Sequence, residues 1–157
     1  MNGIQICNAL NKKASDGAEF SDLLKEAVRM LHESNERFHW TGIYELLPGN
    51  ILQLGPFVGE PTDHVVIAVG NGVCGSAVAD RCNKNIPDVT KESNYLACST
   101  ATRSELVVLI QKDGAIFAQV DIDSHDVDAF DAEATINVQT VADWLADAYA
   151  ARSAVTS

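Results

Sequence analysis

The sequence is short of positive charge: 11 lysines and arginines stand against 22 aspartates and glutamates, a formal net charge of -11. That balance repels phosphate backbones and anionic bilayers, so it argues against nucleic-acid binding and membrane docking and favours small cationic ligands. Acidity also serves solubility, and the surface charge as a whole needs no further role. No apolar run reaches membrane-spanning length. The opening MNGIQICNALNKKASDG has no basic start leading into an apolar core, so no secretory signal is read and a reducing cytoplasm is the expected compartment. There the 4 cysteines are expected as thiols, redox-active groups or metal ligands in preference to structural disulfides. Cys74, Cys82, Cys98 and His64 have the chemistry of zinc ligands, but no C-x-x-C or H-x-x-x-H spacing pre-orders them, so no metal is expected. A G-x-S-x-G elbow is missing too, which leaves serine hydrolysis without support.

What is present suits one domain spanning residues 1–157. The chain is 46% hydrophobic and 21% charged, the balance of a soluble globular protein with a substantial apolar core. Apolar residues recur at helical spacing over 19–33 (Phe20, Leu23, Leu24, Ala27, Val28, Leu31) and over 130–151 (Ala134, Val138, Val141, Trp144, Leu145, Ala148). Between them, residues 40–46 and 51–57 read as a hairpin around Pro48-Gly49-Asn50. The small residues of Val73-Cys74-Gly75-Ser76-Ala77 read as a short helix packed closely on a sheet. A brief strand near 86–89 leads into a polar loop over 90–103 that contains Cys98. Strands over 105–110 and 115–121 follow, joined at Asp113-Gly114, a tight-turn signal. Helix, hairpin, short helix, three strands and helix predict an antiparallel sheet with helices segregated to one side, an α+β architecture.

Two cysteines have settings that bear on reactivity. Cys74 enters a predicted helix, where the N-terminus favours a thiolate, although a cysteine there can equally fill a small space under a sheet. Cys98 lies in the polar loop five positions before Arg103. Cys7 and Cys82 lack comparable surroundings and read as structural or incidental. Asp121 and Asp123 share one face of a strand by its period of two, and Glu105 opens the neighbouring strand, so three acids can converge. Such a trio suits an ammonium group better than a divalent metal, which takes more oxygen ligands. Solvated strand ends are the competing reading.

Trp40-Thr41-Gly42-Ile43-Tyr44, Leu54-Gly55-Pro56-Phe57-Val58-Gly59, Gly72-Val73-Cys74-Gly75-Ser76-Ala77, Ala97-Cys98, Ser104-Glu105-Leu106-Val107-Val108 and Asp121-Ile122-Asp123-Ser124 occur in that order. Together they resemble the free methionine-(R)-sulfoxide reductases, thiol enzymes of the GAF fold. The resemblance implies a central antiparallel sheet of about six strands with N- and C-terminal helices on one side. It implies that Cys98 attacks the sulfoxide sulfur and becomes a sulfenic acid, and that Cys74 resolves it as a disulfide. It also implies that Glu105, Asp121 and Asp123 hold the substrate ammonium and help protonate the departing oxygen, while Trp40 and Tyr44 enclose the methyl sulfoxide. Free methionine sulfoxide is then the substrate, no cofactor is bound, a thioredoxin-like protein or similar thiol supplies electrons, and a homodimer forms through the terminal helices. One position departs from the family: His64 stands where many relatives carry a further cysteine, so Cys82 or an external thiol could replace it. A non-catalytic GAF module that senses a small ligand, and a redox sensor with a Cys74–Cys98 disulfide, are the alternative readings.

Overall fold

The computed structural model describes residues 1–96 and 100–156, with side chains through 153. Helices α1 (Gly3–Ser15) and α2 (Phe20–Glu33) lead into strands β1 (Trp40–Leu47), β2 (Ile51–Val58) and β3 (Val66–Ala68). Helix α3 (Gly72–Asp80), strand β4 (Lys84–Ile86) and a 3-10 turn (Val89–Lys91) come next. Strands β5 (Ser104–Lys112) and β6 (Ala115–Ser124) and helix α4 (Ala132–Thr156) complete the chain. The strands form one antiparallel sheet in the order β3-β2-β1-β6-β5-β4. The β5–β6 turn closes on Asp113 and Gly114, with φ of 52° and 83°, the left-handed pair that an Asp-Gly hairpin supplies at low cost.

Strand periodicity divides the apolar residues between two cores. Ile43, Leu106, Val108, Ile110, Val120 and Ile122 face α1, α2 and α4. Tyr44, Leu52, Val107 and Leu109 face the other way and pack with Val73, Cys74, Ala77 and Val78 of α3. The terminal helices therefore share one face, as expected, and α3 alone covers part of the other. Both faces of β5 are buried, which is why Leu106 to Ile110 reads as an unbroken apolar run.

Three elements differ from the expectations. Helix α1 carries no long apolar stripe, with Ile6 and Leu10 buried but Ile4 exposed; its start is fixed by a capping box between Asn2 and Gln5. Strand β3 is only three residues long, below the length at which alternation can be read. The strand expected near 86–89 lies at Lys84–Ile86, because Asp88 caps the 3-10 turn through Thr90 and draws the chain off the sheet.

Candidate active site

The α3-side face of the sheet gathers the residues that the sequence singles out. Registered across three strands, Trp40 of β1 pairs with Asp123 of β6, which pairs with Glu105 of β5. One step along, Gly42 pairs with Asp121 and Asp121 with Val107; a further step joins Tyr44 to Gln119 and Gln119 to Leu109. Asp121 and Asp123 are not solvated strand ends. Strand β6 continues to Ser124, and Glu105, Asp121 and Asp123 are all at most 3% exposed. Burying three acids together is costly unless positive charge or hydrogen bonds offset it.

Their chemistry shows the strain of that arrangement. Burial pushes the Glu105 carboxyl well above the usual carboxylate range, and repulsion from Asp121 and then Asp123 adds to it. Burial also raises the Asp121 carboxyl, and the nearness of Glu105 and Cys74 offsets only part of that rise. Neither neighbour meets the Asp121 oxygens in hydrogen-bond geometry. Cys74 closes the cluster from α3: its Sγ donates to Glu105 Oε2 at 3.7 Å, and ligand atoms of Cys74, Glu105 and Asp121 all fall within 4.8 Å of one another. This is also the one set of potential metal ligands among the described residues.

Aromatic side chains form the adjoining wall. The Trp40 indole stacks on Phe57 with centroids 5.6 Å apart, lies 6.4 Å from Tyr44, and donates through Nε1 to the Glu60 carbonyl at 3.0 Å. It crosses directly over Gly42, where a Cβ would come within 2.5 Å of Trp40 Cη2. Only glycine permits this placement beside Asp121. Tyr44 donates its hydroxyl to the His64 carbonyl at 2.7 Å.

Two spaces adjoin the acids. A gap of about 10 Å³, room for a single water, lies between Cys74, Glu105, Asp121, His64 and Leu96. His64 and Cys74 line the same gap. A cleft of about 310 Å³ opens beside it, bounded by Trp40, Glu60, Asp123, His39 and His125 and by residues 100–102. Asp123 lines the cleft, and Glu105, its partner across the β5–β6 pairing, lines the gap. Neither histidine is singled out by the sequence, although His125 continues the period of two that joins Asp121 and Asp123.

Of the residues expected to act, Cys74, Trp40, Tyr44, Glu105, Asp121 and Asp123 converge here, while Cys98 lies outside the described residues. Cys82 is exposed just past the end of α3, whereas Cys74 lies in the first turn of that helix. Cys7 is half-buried on the opposite side of the sheet, where burial and then Asp143 raise its thiol.

No protein-family model matches the chain. Comparison with solved structures places it among GAF folds, including one described as the structure of the GAF domain, 30% identical with a TM-score of 0.80. The chain belongs to the free methionine-(R)-sulfoxide reductase family. It is 36% identical to a type II free methionine-R-sulfoxide reductase from Thermoplasma acidophilum, covering 82% of this chain and 94% of that one at a TM-score of 0.76. It is 27% identical to the Neisseria meningitidis enzyme of that name, solved in complex with its substrate, covering 97% and 91% at a TM-score of 0.86. The Saccharomyces cerevisiae free methionine-R-sulfoxide reductase matches at 38% over 96 residues, 59% of this chain; the match spans about half, 53%, of the yeast protein.

Proposed function

We propose that this protein reduces free L-methionine-(R)-sulfoxide to methionine, as a single GAF domain in a reducing cytoplasm. The observation that carries the reading is the buried acid trio beneath the aromatic wall. A free amino acid brings an ammonium that neutralises such a trio, whereas a methionine within a polypeptide has lost it. Selectivity for the free substrate follows from the desolvation cost of leaving the acids uncompensated.

In this reading the Cys98 thiolate attacks the sulfoxide sulfur. Glu105, whose carboxyl is pushed well above the usual carboxylate range by burial and then by Asp121 and Asp123, delivers a proton to the sulfoxide oxygen. The oxygen passes to Cys98 as a sulfenic acid, and methionine leaves. A second thiol then displaces water from the sulfenic acid to form a disulfide, which a thioredoxin-like dithiol reduces by exchange. Cys74 is the candidate second thiol, because it already lies against Glu105 at the acids. Trp40 and Tyr44 supply the apolar enclosure for the methyl group. No bound cofactor enters these steps. A homodimer through the terminal helices completes the proposal.

The test couples thioredoxin recycling to NADPH oxidation with free R-, free S- and peptide-bound sulfoxides. Turnover of the free R form alone is expected, and Cys98→Ser should abolish it. Ligand binding without turnover would instead point to a sensor module. Loss of two hydrogens under peroxide, with no sulfoxide turnover, would point to a redox switch.

A further inference from the structure

An α-amino acid carries its ammonium and its carboxylate on the same carbon, so an ammonium held at Asp123 brings the carboxylate close to that acid. The cleft there is a poor place for an anion: its lining includes Glu60 and Asp123 and, among the described residues, no lysine or arginine. The nearby arginines already have partners, Arg103 on the rim of the cleft itself. Arg37 pairs with Asp126 at 3.2 Å, and Arg103 spends Nη1 on the Thr100 and Thr102 carbonyls. What the cleft does hold is a pair of imidazoles, His39 and His125, stacked with centroids 4.0 Å apart and planes 3° from parallel. Both flank Asp123: the His39 backbone N–H donates to the Asp123 carbonyl at 3.0 Å, and His125 lies two residues on.

The pair is also oriented. A backbone N–H can only donate, so the 2.9 Å bond from His125 N–H to His39 Nδ1 fixes that nitrogen as an acceptor. The His39 proton therefore resides on Nε2, leaving that nitrogen a donor. The exposed His125 ring shields it from one side. We infer that His39 and His125 form a carboxylate-reading subsite, in which imidazole N–H groups bind the α-carboxylate of the free amino acid whose ammonium the buried acids hold. The inference rests on the proposed substrate and adds the second half of its recognition: the acids read the free amino end and the histidines the free carboxyl end.

The experiment is calorimetric titration of the Cys98→Ser protein, expected to bind without turnover, with L-methionine-(R)-sulfoxide and with its carboxamide. The parent should prefer the acid by roughly tenfold or more, the scale of a hydrogen bond to a charged group. His39→Asn keeps an acceptor for the His125 N–H while removing Nε2–H. It and His125→Asn should each bring the acid-to-amide ratio toward one, with amide affinity held within about twofold of the parent. Unchanged circular dichroism and melting temperature would establish that both variants fold. A ratio that survives in both variants, an equal loss for acid and amide, or a preference removed by Arg103→Gln alone would overturn the subsite. If the acid preference depends on the histidines but unmodified protein reduces no free sulfoxide, the enzymatic reading fails while the subsite stands. Absence of binding by either ligand would sink both.

Discussion

A carboxyl group stripped of water holds its proton more tightly unless a cation or hydrogen-bond donors replace the water. Glu105 is the clearest instance. Because its folded-state value lies above the unfolded one, the native chain binds a proton that the unfolded chain has released. Stability should therefore fall as pH rises from the ordinary carboxylate range toward the raised value. Glu105→Gln, which preserves shape and removes the titration, should flatten that slope and raise the melting temperature of the ligand-free protein near pH 8, by roughly 2–4 °C for each kcal/mol regained. Thermal melts from pH 5 to 8 check this; a variant less stable than the parent at pH 8 would contradict it. Gly42 makes the complementary case from packing. Gly42→Ala would drive a methyl into the Trp40 ring, so a loss of about 1–3 kcal/mol is expected together with weaker ligand binding.

Among the elements, α3 has the most exacting fit. A Cβ on Gly75 would stand 2.6 Å from the Ala68 carbonyl and 2.9 Å from the Gly70 nitrogen, both backbone atoms that cannot turn aside. Gly75→Ala should therefore lift the helix that carries Cys74, costing about 1–3 kcal/mol in chemical denaturation. It should also slow recovery of the enzyme between turnovers more than the first reduction, measurable as a burst followed by a reduced steady rate. A steady rate equal to the parent's would contradict a resolving role for a positioned Cys74. The tight fit was legible in the sequence as a cluster of small residues. The helical stripes of α2 and α4 and the Asp-Gly hairpin were legible for the same reason: each depends on near neighbours in the chain. Helix α1 and strand β3 were not, since one has too few buried residues to show a period and the other is too short.

At the scale of the molecule, one sheet separates two cores with different tasks. The face under α1, α2 and α4 is mostly apolar, with residues such as Ile43, Val120 and Ile122 fully buried, and its polar members Thr41 and Glu45 are bonded to His32 of α2 and Tyr149 of α4. The face under α3 mixes apolar packing with the three acids. Ile43→Ala, on the first face, should cost about 2–5 kcal/mol and leave ligand affinity near that of the parent, separating stability from recognition in one protein. Period-two reasoning set Glu105, Asp121 and Asp123 on one side of the sheet, yet it left open whether that side met solvent. Only the registry of β1, β6 and β5 beneath α3 decides that they are buried. The histidine pair was illegible for a related reason: His39 and His125 are 86 residues apart and meet only through the β1–β6 pairing.

The most direct test of an ammonium-binding floor is the affinity of the Cys98→Ser protein for L-methionine-(R)-sulfoxide and for its N-acetyl derivative, measured by calorimetry at one pH and salt. Acetylation deletes the positive charge and leaves the sulfoxide, the methyl group and the carboxylate in place. Binding weakened by about a hundredfold or more is expected, since the buried acids would lose their counter-charge. Equal affinity for the two compounds would show that Glu105, Asp121 and Asp123 do not hold the amino group.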